Sequence, residues 1–594
     1  MSESEASIAY RATKVSDKAR AATSAARNRR RRGRALAIAS AFVVFALGGA
    51  PRCASAAAAA GAPSPRRGGI LTIPEASAPL TFNPVFAQDN VSRLAASLTM
   101  ADLMHINPVT EQVEPELALR VIHQTPLRWR IELRRGVRFS DGAPFTAEDV
   151  VFSFDVYTDP KLAAPQRALL VFHGAPVRAR ALDAYTVELT LPSPDAVGDR
   201  LFDSLWMLPR HRLDAAFRAG QLSTAWGLAT PPPELAGLGP FALRRYDPGR
   251  ALVFARNPFY WRRDAGGQPL PYLDQIRLGI VPDANLRTAL FLRGQVDGLP
   301  SVRTEDLPLL AHRAGLRVLD AGPSLQPETL LFNLNEVAGH AALQHRQSWF
   351  ARREFRQGVS AAIDRANLAA NVYGGKAQGL NTLTSPAERG WADGRPAPAR
   401  DDAAARHDFL AAGLHYRDDG LYDASGQPVA FSLIVPATNA QRQKIAVFIQ
   451  EDLRRVGIPV SVVPLDFDTY VDRLLHRRDY DAALLGLSFP DADPNVEAAI
   501  WPLDGALHVW DLQPRQPRVW ERELDRLFAR QRVALDPQRR RLIYRRIQAI
   551  EREELPLIPL VTPDVVVAVK SGLQGVEPGV LAPHLLWNAA TLHW

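Results

Sequence analysis

The chain has 594 residues, more than one hydrophobic core usually spans, so we expect at least two lobes. With 47% hydrophobic and 23% charged residues, it has the composition of an ordinary soluble globular protein. The formal net charge of +8 comes from the first 60 residues, which hold eleven of the 71 Lys and Arg but only three of the 63 Asp and Glu. The remainder has 60 charges of each sign, and this balance argues against a nucleic-acid-binding protein.

The N-terminal segment has the order of an export signal. Residues 27–34 are basic, residues 35–50 are apolar or small, and Ala54-Ser55-Ala56 has the small-x-small pattern that precedes cleavage. The sixteen residues of the apolar stretch are few for a membrane span, which needs about 20. We therefore expect cleavage within residues 54–62 and a soluble product. Two alternatives are a retained single-pass anchor and a true start codon further into the basic leader.

The sequence lacks the common signatures of catalysis. Cys53 is the only cysteine and lies ahead of the expected cleavage site, so the mature chain should have no disulfide, no thiol nucleophile and no cysteine-ligated metal. There is no phosphate-binding loop, no G-x-S-x-G elbow and no H-E-x-x-H pair. The thirteen histidines are scattered without the spacing of metal ligands. We therefore expect no catalytic residue, no cofactor and no metal.

The first half of the chain contains a strand–turn–helix pattern. Residues 128–134 alternate between apolar and polar side chains, as do residues 185–191, and this period of two predicts half-buried strands. Residues 140–142 (SDG) are typical of a turn. Thr146 followed by Asp149 three residues later is a capping box, which predicts that a helix begins there.

The second half predicts a parallel strand pair. Residues 429–436 have the pattern of a strand, residues 442–456 place their apolar side chains on one helical face, and residues 458–463 form the next strand. Strand, helix and strand in this order predict a right-handed crossover between parallel strands. Near the C-terminus we expect a helix at residues 538–551 and a strand at residues 555–561.

Residues 134–153 read R-x-G-V-x-F-x-D-G-x-P-x-T-A-x-D-V-x-x-S. This pattern resembles the signature of the family 5 extracellular solute-binding proteins, the peptide- and nickel-type receptors of bacterial ABC importers. Further segments similar to that family are GLGPF at 237–241, RNPFYW at 256–261, PYLD at 271–274, GQVDG at 294–298 and REFRQGVSAAIDRANLAANVYGG at 353–375. The resemblance covers nearly the whole chain after the N-terminus. It implies an α/β, two-lobe periplasmic binding protein fold with a hinge (type II, large peptide-binding class) and an inserted third domain.

The resemblance also implies a division of the chain and a role. The implied segments are a leader at 1–60, lobe I at 66–106, 205–298 and 555–594, an inserted domain at 107–204 and lobe II at 299–554. The implied role is that of a monomeric periplasmic receptor that captures an oligopeptide or similar small solute between its lobes and delivers it to a membrane permease. It would make or break no bond and bind no nucleic acid. Two rivals are an exported enzyme on the same scaffold and a membrane-anchored sensor or assembly partner.

The most informative candidate site is residues 484–495 (LLGLSFPDADPN). In peptide-binding relatives, the matching segment places an aspartate against the α-amino group of the ligand. Here Pro490 stands at that position, and Asp491 follows it. The resemblance therefore makes Asp491 the candidate amine anchor, with Ser488 and Phe489 beside it. The alternative is that Asp491 is a solvated turn residue.

Three further segments line the cleft in relatives. The candidate ligand-binding residues they supply are Phe86, Gln88 and Asn90, then Asn381 and Thr382, then Trp501, His508 and Trp510. Aromatic rings offer stacking area, and hydroxyl and amide groups could bind the main chain of a ligand. The alternatives are a ligand-free polar loop for the first group, turn capping for the second and core packing for the third.

Overall fold

The computed structural model describes residues 65–594 except Ala163, His173, Ser204, Ala338 and Asp419. The expected export signal lies outside the described residues. The α-helices are α1 (Asn90–Thr99), α2 (Ala147–Thr158), α3 (Arg167–Leu170), α4 (Arg210–Arg218), α5 (Ala284–Leu292), α6 (Leu307–Ala311), α7 (Ala341–Phe350), α8 (Arg353–Ala362), α9 (Arg365–Val372), α10 (Asp402–Ala411), α11 (Ala440–Arg455), α12 (Phe467–Val471), α13 (Val519–Arg532) and α14 (Pro537–Glu554).

The strands fall into larger sheets and short two-stranded ribbons. In chain order they are β1 (Ile70–Glu75), β2 (Met104–Ile106), β3 (Val113–Pro115), β4 (Ala118–Thr125), β5 (Arg128–Leu133), β6 (Val171–Phe172), β7 (Ala175–Pro176), β8 (Arg178–Asp183), β9 (Thr186–Thr190), β10 (Phe241–Asp247), β11 (Ala251–Arg256), β12 (Gln275–Ile280), β13 (Gly298–Leu299), β14 (Leu316–Pro323), β15 (Glu328–Phe332), β16 (Ala377–Gly379), β17 (His415–Arg417), β18 (Gly420–Tyr422), β19 (Phe431–Pro436), β20 (Val460–Leu465), β21 (Ala482–Gly486), β22 (Leu557–Pro559) and β23 (Val561–Lys570).

Lobe I contains two neighbouring sheets. One has the order β1-β12-β11-β10 and the other the order β13-β23-β14. Asp297 joins them, because its carboxylate accepts a hydrogen bond from the Thr72 amide at 2.7 Å while its own amide donates to the Thr72 carbonyl at 2.8 Å. Alternate residues of the strands, such as Leu71 and Ile73 of β1, are fully buried in one core.

The inserted domain forms around the antiparallel sheet β4-β5-β9-β8. The predicted alternation in β5 is confirmed, since Trp129, Ile131 and Leu133 are buried between more exposed neighbours. The predicted capping box is also confirmed: the Thr146 amide donates to Asp149 Oδ2 at 2.9 Å, and α2 begins at the next residue.

Lobe II is built on the five-stranded sheet β20-β19-β21-β15-β22. As predicted, β19, α11 and β20 form a parallel pair with a helical crossover. Gly457 has a φ of 82°, a left-handed conformation that glycine adopts without strain and that ends the helical segment before β20. All five residues of β21 are buried, so the segment that follows this strand leaves the centre of the sheet.

The two lobes are joined by two chain segments that lie side by side. β14 pairs with β23 in lobe I, so the first crossing lies between β14 and β15 and not near residue 299 as the sequence-based division had it. The second crossing lies within β23, whose residues 561–563 pair with β16 of lobe II and whose residues 564–570 pair with β14 of lobe I. Ser324 and Thr562 connect the crossings through their hydroxyls at 3.0 Å, and the Ser324 amide donates to the Pro563 carbonyl at 2.8 Å. Such a paired crossing has the form of a hinge.

Candidate functional site

Lobe I, the inserted domain and lobe II meet around a group of charged side chains. Asp203 lies among them, with its carboxylate 3.5 Å from His105 Nδ1. Burial is the largest influence on the pKa of Arg93, Arg200 and Asp491, and the charge of Asp203 reaches all three. We call these five residues the central recess: Arg93 on α1 of lobe I, His105, Arg200 and Asp203 from the inserted domain and its approach, and Asp491 of lobe II.

The electrostatics of these groups indicate a recess and not an outer surface. Each of the five residues keeps part of its surface accessible. Burial nevertheless lowers the pKa of Arg93, and it raises the pKa of Asp491 although the hydrogen bond from Arg200 opposes that change. Groups that are both accessible and desolvated lie where protein encloses them in part, and we take this junction of the three parts as the candidate site.

Arg200 and Asp491 form a two-point ion pair across this space. Arg200 is held on the single helical turn Gly198–Phe202, and its Nε donates to Asp491 Oδ2 at 2.8 Å while Nη2 pairs with Oδ1. Its Nη1 also donates to the Glu111 carbonyl at 2.8 Å. The side chains are 17% and 16% exposed, so most of the pair is out of water. The pair ties the inserted domain to lobe II.

This geometry bears on the candidate amine anchor. The alternative of a solvated turn carboxylate is wrong, because Asp491 is mostly buried and hydrogen-bonded. Its carboxylate is already neutralised by a cation of the same chain, so a ligand amine would have to displace Arg200. Ser488 is half-buried and Phe489 is buried, and the Phe489 amide donates to the Leu325 carbonyl at 3.0 Å, so the segment is fixed against the first hinge crossing.

A second ion pair, between Arg540 and Asp493, holds the segment of residues 484–495 in place. Both guanidinium nitrogens Nη1 and Nη2 of Arg540 donate to Asp493, at 2.7 and 2.6 Å, and each side chain is 5% exposed. Arg540 also approaches the Ala196 carbonyl at 3.3 Å, and the Ala196 amide donates to the Arg532 carbonyl at 2.7 Å. Residues 195–200 of the inserted domain therefore rest on lobe II through polar contacts.

The first loop reaches the recess through α1. Phe86 and Gln88 are half-buried, and Asn90 is exposed at the start of the helix. Asn90 and Arg93 are three residues apart, so they lie on the same helical face. Asn83 orders the loop, since its Nδ2 donates to the Leu222 carbonyl at 2.9 Å. This arrangement places Asn90 beside a residue of the recess, whereas Phe86 packs against the core of the inserted domain.

The second loop directs its polar groups inward. Asn381 Nδ2 donates to the Arg395 carbonyl at 2.6 Å, and the Thr382 side chain is 2% exposed. The next residue, Leu383, donates its amide to the buried Glu551 carboxylate at 2.5 Å. These contacts match the alternative in which Asn381 and Thr382 stabilise the loop itself.

The three aromatic candidates belong to the core of lobe II, which corrects the expectation that they line the cleft. Trp501, His508 and Trp510 have no exposed surface. Trp501 Nε1 donates to Glu497 at 2.5 Å, Trp510 Nε1 donates to Glu521 at 3.2 Å, and the His508 ring contacts Trp510 at a tilt of 42° with centroids 4.0 Å apart. Burial lowers the pKa of His508 to about 4, so its ring is neutral. Core packing, the alternative for these residues, is the arrangement present.

A cluster of acidic residues that the sequence does not reveal lies behind Asp493. Glu388, Glu497 and Glu551 are each 1% exposed, and in the described part of the chain none has a basic side chain within 4 Å. Tyr544 donates its hydroxyl to Glu497 at 2.7 Å. Burial raises the pKa of Glu497 to about 7 and raises the pKa of Glu388 and Glu551 well above their usual range. We call this group the buried glutamate cluster.

One group in the described residues has the composition of a metal site. Asp102, His105 and Glu116 each offer a ligand atom, and these atoms lie within 4.8 Å of one another. Burial opposes protonation of His105, but Asp203 and Glu116 outweigh it and raise its pKa. The group therefore favours a protonated histidine between carboxylates, a state that cannot bind a metal through that ring.

Sequence patterns missed Arg93, Arg200 and Asp203 for a common reason. None belongs to a motif, and each acquires its role only from contacts between distant parts of the chain. Arg200 and Asp491, for example, are separated by 291 positions. The one local signal is that Arg93 interrupts an otherwise mostly apolar or small helix, α1, whose neighbours Val91 and Leu94 are buried.

Comparisons with known proteins agree with this architecture. The family described as bacterial extracellular solute-binding proteins, family 5, matches residues 112–504. A probable ABC transporter-binding protein of Deinococcus radiodurans is 25% identical over 523 residues, which cover 83% of this chain and 87% of that protein. The ABC transporter substrate-binding protein CtaP of Listeria monocytogenes superposes with a TM-score of 0.74 at 22% identity, covering 89% of this chain and 99% of that one. The oligopeptide-binding protein AppA of Bacillus subtilis, solved with a nonapeptide, gives 0.68 at 21% identity with coverages of 89% and 99%.

Proposed function

Because the chain belongs to the family 5 bacterial extracellular solute-binding proteins and is a substrate-binding protein of ABC transport, we propose that it binds an oligopeptide or similar small solute in the central recess. The observation that supports this proposal is the contact between the inserted domain and lobe II at the central recess, which we call the seam. Residues of separate parts of the chain meet there through ion pairs, whose charged groups regain hydration when they part. Closure of the lobes over a ligand is favoured because only the closed form contacts it from both sides.

The ligand class follows from the relatives and from the charges of the recess. One structural neighbour holds a nonapeptide. The recess of this chain contains two arginines, a histidine and two aspartates, so the ends of a zwitterionic ligand would find both signs of charge. Asn90, on the same face of α1 as Arg93, offers a polar contact to the main chain of such a ligand.

A binding screen tests this proposal. The protein would be purified, unfolded and refolded to release bound solute, and titrated by calorimetry with peptide pools of three to nine residues. The pools would have free or acetylated N-termini. Saturable binding that shrinks the radius of gyration in small-angle scattering is the expected result. Binding without any change in that radius would contradict closure, and no binding of any pool would contradict the peptide assignment.

The same experiment separates the rival functions. We propose that the chain makes or breaks no bond, so mass spectrometry of the titrated pool should recover each peptide intact. We also propose an exported, periplasmic monomer that docks on a membrane permease. In the described residues, the longest helices are too polar to cross a membrane. Light scattering of the purified protein should give the mass of one chain. An intact N-terminus in the membrane fraction of the host would instead support the anchored sensor.

A further inference from the structure

The last two helices of lobe II form a hairpin with one buried and one outer face. α13 buries Leu524, Leu527 and Phe528, and α14 buries Ile543 and Ile547. These spacings of three and four keep the apolar side chains on one face of each helix. Glu523 of α13 pairs with Arg546 of α14 at 2.9 Å, so the solvent-facing sides of the two helices are neighbours.

The outer face of this hairpin is lined with arginine. Its exposed members are Arg522, Arg526 and Arg530 on α13 and Arg539, Arg541 and Arg545 on α14, a set that we call the arginine face. On α13 the arginines follow one another every four residues, so they form a row about 12 Å long at 1.5 Å per residue. The helices run antiparallel, and the contact between Glu523 and Arg546 places Arg530 opposite Arg539.

These six charges are not balanced within the molecule. In the described part of the chain, no carboxylate lies within 4 Å of any of the six guanidinium groups. Glu523 is paired with Arg546, whereas Asp525 and Asp536 accept backbone amides and keep their negative charges. After the leader, the chain carries equal numbers of positive and negative groups. With Asp525 and Asp536 subtracted from the six arginines, a local excess of four positive charges remains on a neutral protein, and it attracts an anionic surface.

The apolar residues of the same face point to the kind of surface. Leu542 is 65% exposed between Arg541 and Arg545, and Val533 and Leu535, at the turn of the hairpin, are 45% and 49% exposed. They are aliphatic and stand singly, and the exposed large apolar residues of this hairpin include no aromatic ring of the kind that anchors protein interfaces. Guanidinium groups pair with phosphate at two points, and single aliphatic side chains insert between headgroups.

We propose that the arginine face binds the surface of a membrane that contains anionic phospholipid. This proposal concerns the location of the protein and does not depend on which solute the protein binds. A receptor held near the membrane by this face would search for a membrane partner in two dimensions. An acidic protein surface is the competing occupant, and the experiment below decides between them.

Co-sedimentation with lipid vesicles tests the proposal on the exported protein. Vesicles of phosphatidylethanolamine with 30% phosphatidylglycerol would be compared with pure phosphatidylcholine, each in low and high salt. The test variant replaces Arg522, Arg526 and Arg530 by Gln. The control variant replaces Arg178, Arg244 and Arg277 by Gln, three exposed strand residues elsewhere that change the net charge equally. Thermal unfolding would verify that both variants are folded.

The wild type should bind only the anionic vesicles and should be released by high salt. Each basic residue near such a surface contributes about 1 kcal/mol, so the test variant should bind on the order of 100-fold more weakly, while the control variant should stay within about two-fold of wild type. Equal losses in both variants would show an effect of net charge alone and overturn the proposal. Failure of the wild type to bind any vesicle would also overturn it and leave the arginine face to an acidic protein.

Discussion

The ion pair between Arg200 and Asp491 should control ligand affinity by stabilising the closed arrangement. In an opened receptor the two side chains would separate and be hydrated, so loss of the pair changes the free energy of the closed form alone. The pair is five-sixths buried and makes two contacts, one of them 2.8 Å long. Removing one partner of such a pair costs about 2–3 kcal/mol, because the other charge remains desolvated. Affinity for any ligand that binds the closed form should then fall about 30- to 150-fold.

Three variants separate this role from direct ligand contact. Asp491→Asn keeps the shape and removes the charge, Arg200→Gln removes the other partner, and the double variant removes both. If the pair acts as a latch, both single variants lose affinity to a similar extent, and the double variant loses no more than either, because it leaves neither charge desolvated. Peptides with free and acetylated N-termini should be affected alike. Calorimetric titration measures all four affinities.

A matched control is the pair of Arg120 and Glu132. It joins two strands of the inserted domain at 2.7 Å, but its side chains are 63% and 24% exposed and it spans no seam. Its replacement by two glutamines should change ligand affinity by less than about 1 kcal/mol. Wild-type affinity in Arg200→Gln, together with loss of only free-amine peptides in Asp491→Asn, would refute the latch and restore Asp491 as the amine anchor.

Three further predictions concern stability and processing. Asp493→Asn should lower the free energy of unfolding by about 3–5 kcal/mol in urea titrations, because Arg540 would stay buried without its partner; a loss below about 1 kcal/mol would contradict this. The melting temperature should fall between about pH 4.5 and 7, because burial raises the pKa of Glu497 from 4.5 to about 7, so the stability that its neutral form provides is lost as pH rises through that interval; Glu497→Gln should flatten the slope, and an unchanged slope would count against the assignment. N-terminal sequencing of the exported protein should find cleavage within residues 54–62 and a product without cysteine, and an uncleaved chain would contradict the export signal.

Local patterns predicted the elements that depend on local physics. The capping box at Thr146 and the crossover between β19 and β20 were both predicted, because hydrogen bonds between near neighbours and the side-chain period decide them. Asp364 caps α9, its Oδ1 accepting the Asn367 amide at 2.9 Å, and the helix ends at Val372. Its last turn depends on packing that no local pattern contains.

The site was predicted less well because it is made of contacts between distant segments. Asp491 was identified from its place beside Pro490, yet its partner Arg200 lies on a turn with no motif. Trp501 and Trp510 were read as cleft residues because they follow that segment, but an aromatic side chain in an irregular stretch can face a core or a ligand equally well. Only the burial of both rings distinguishes the two.

The distribution of apolar and charged contacts explains how one chain can be both stable and mobile. Each part has an apolar core, with Ile106 and Leu581 of lobe I packed into the core of lobe II, and the paired crossings at Ser324 and Thr562 keep the lobes connected by hydrogen bonds. The seam at the recess, in contrast, includes the two-point pair of Arg200 and Asp491 and the 3.7 Å contact between Arg389 and Glu111. Charged groups regain hydration when these contacts open, so parting them costs less than separating the apolar contacts that Ile106 and Leu581 make with the core of lobe II. Substitutions at the seam should therefore change affinity, and substitutions in the cores should change stability.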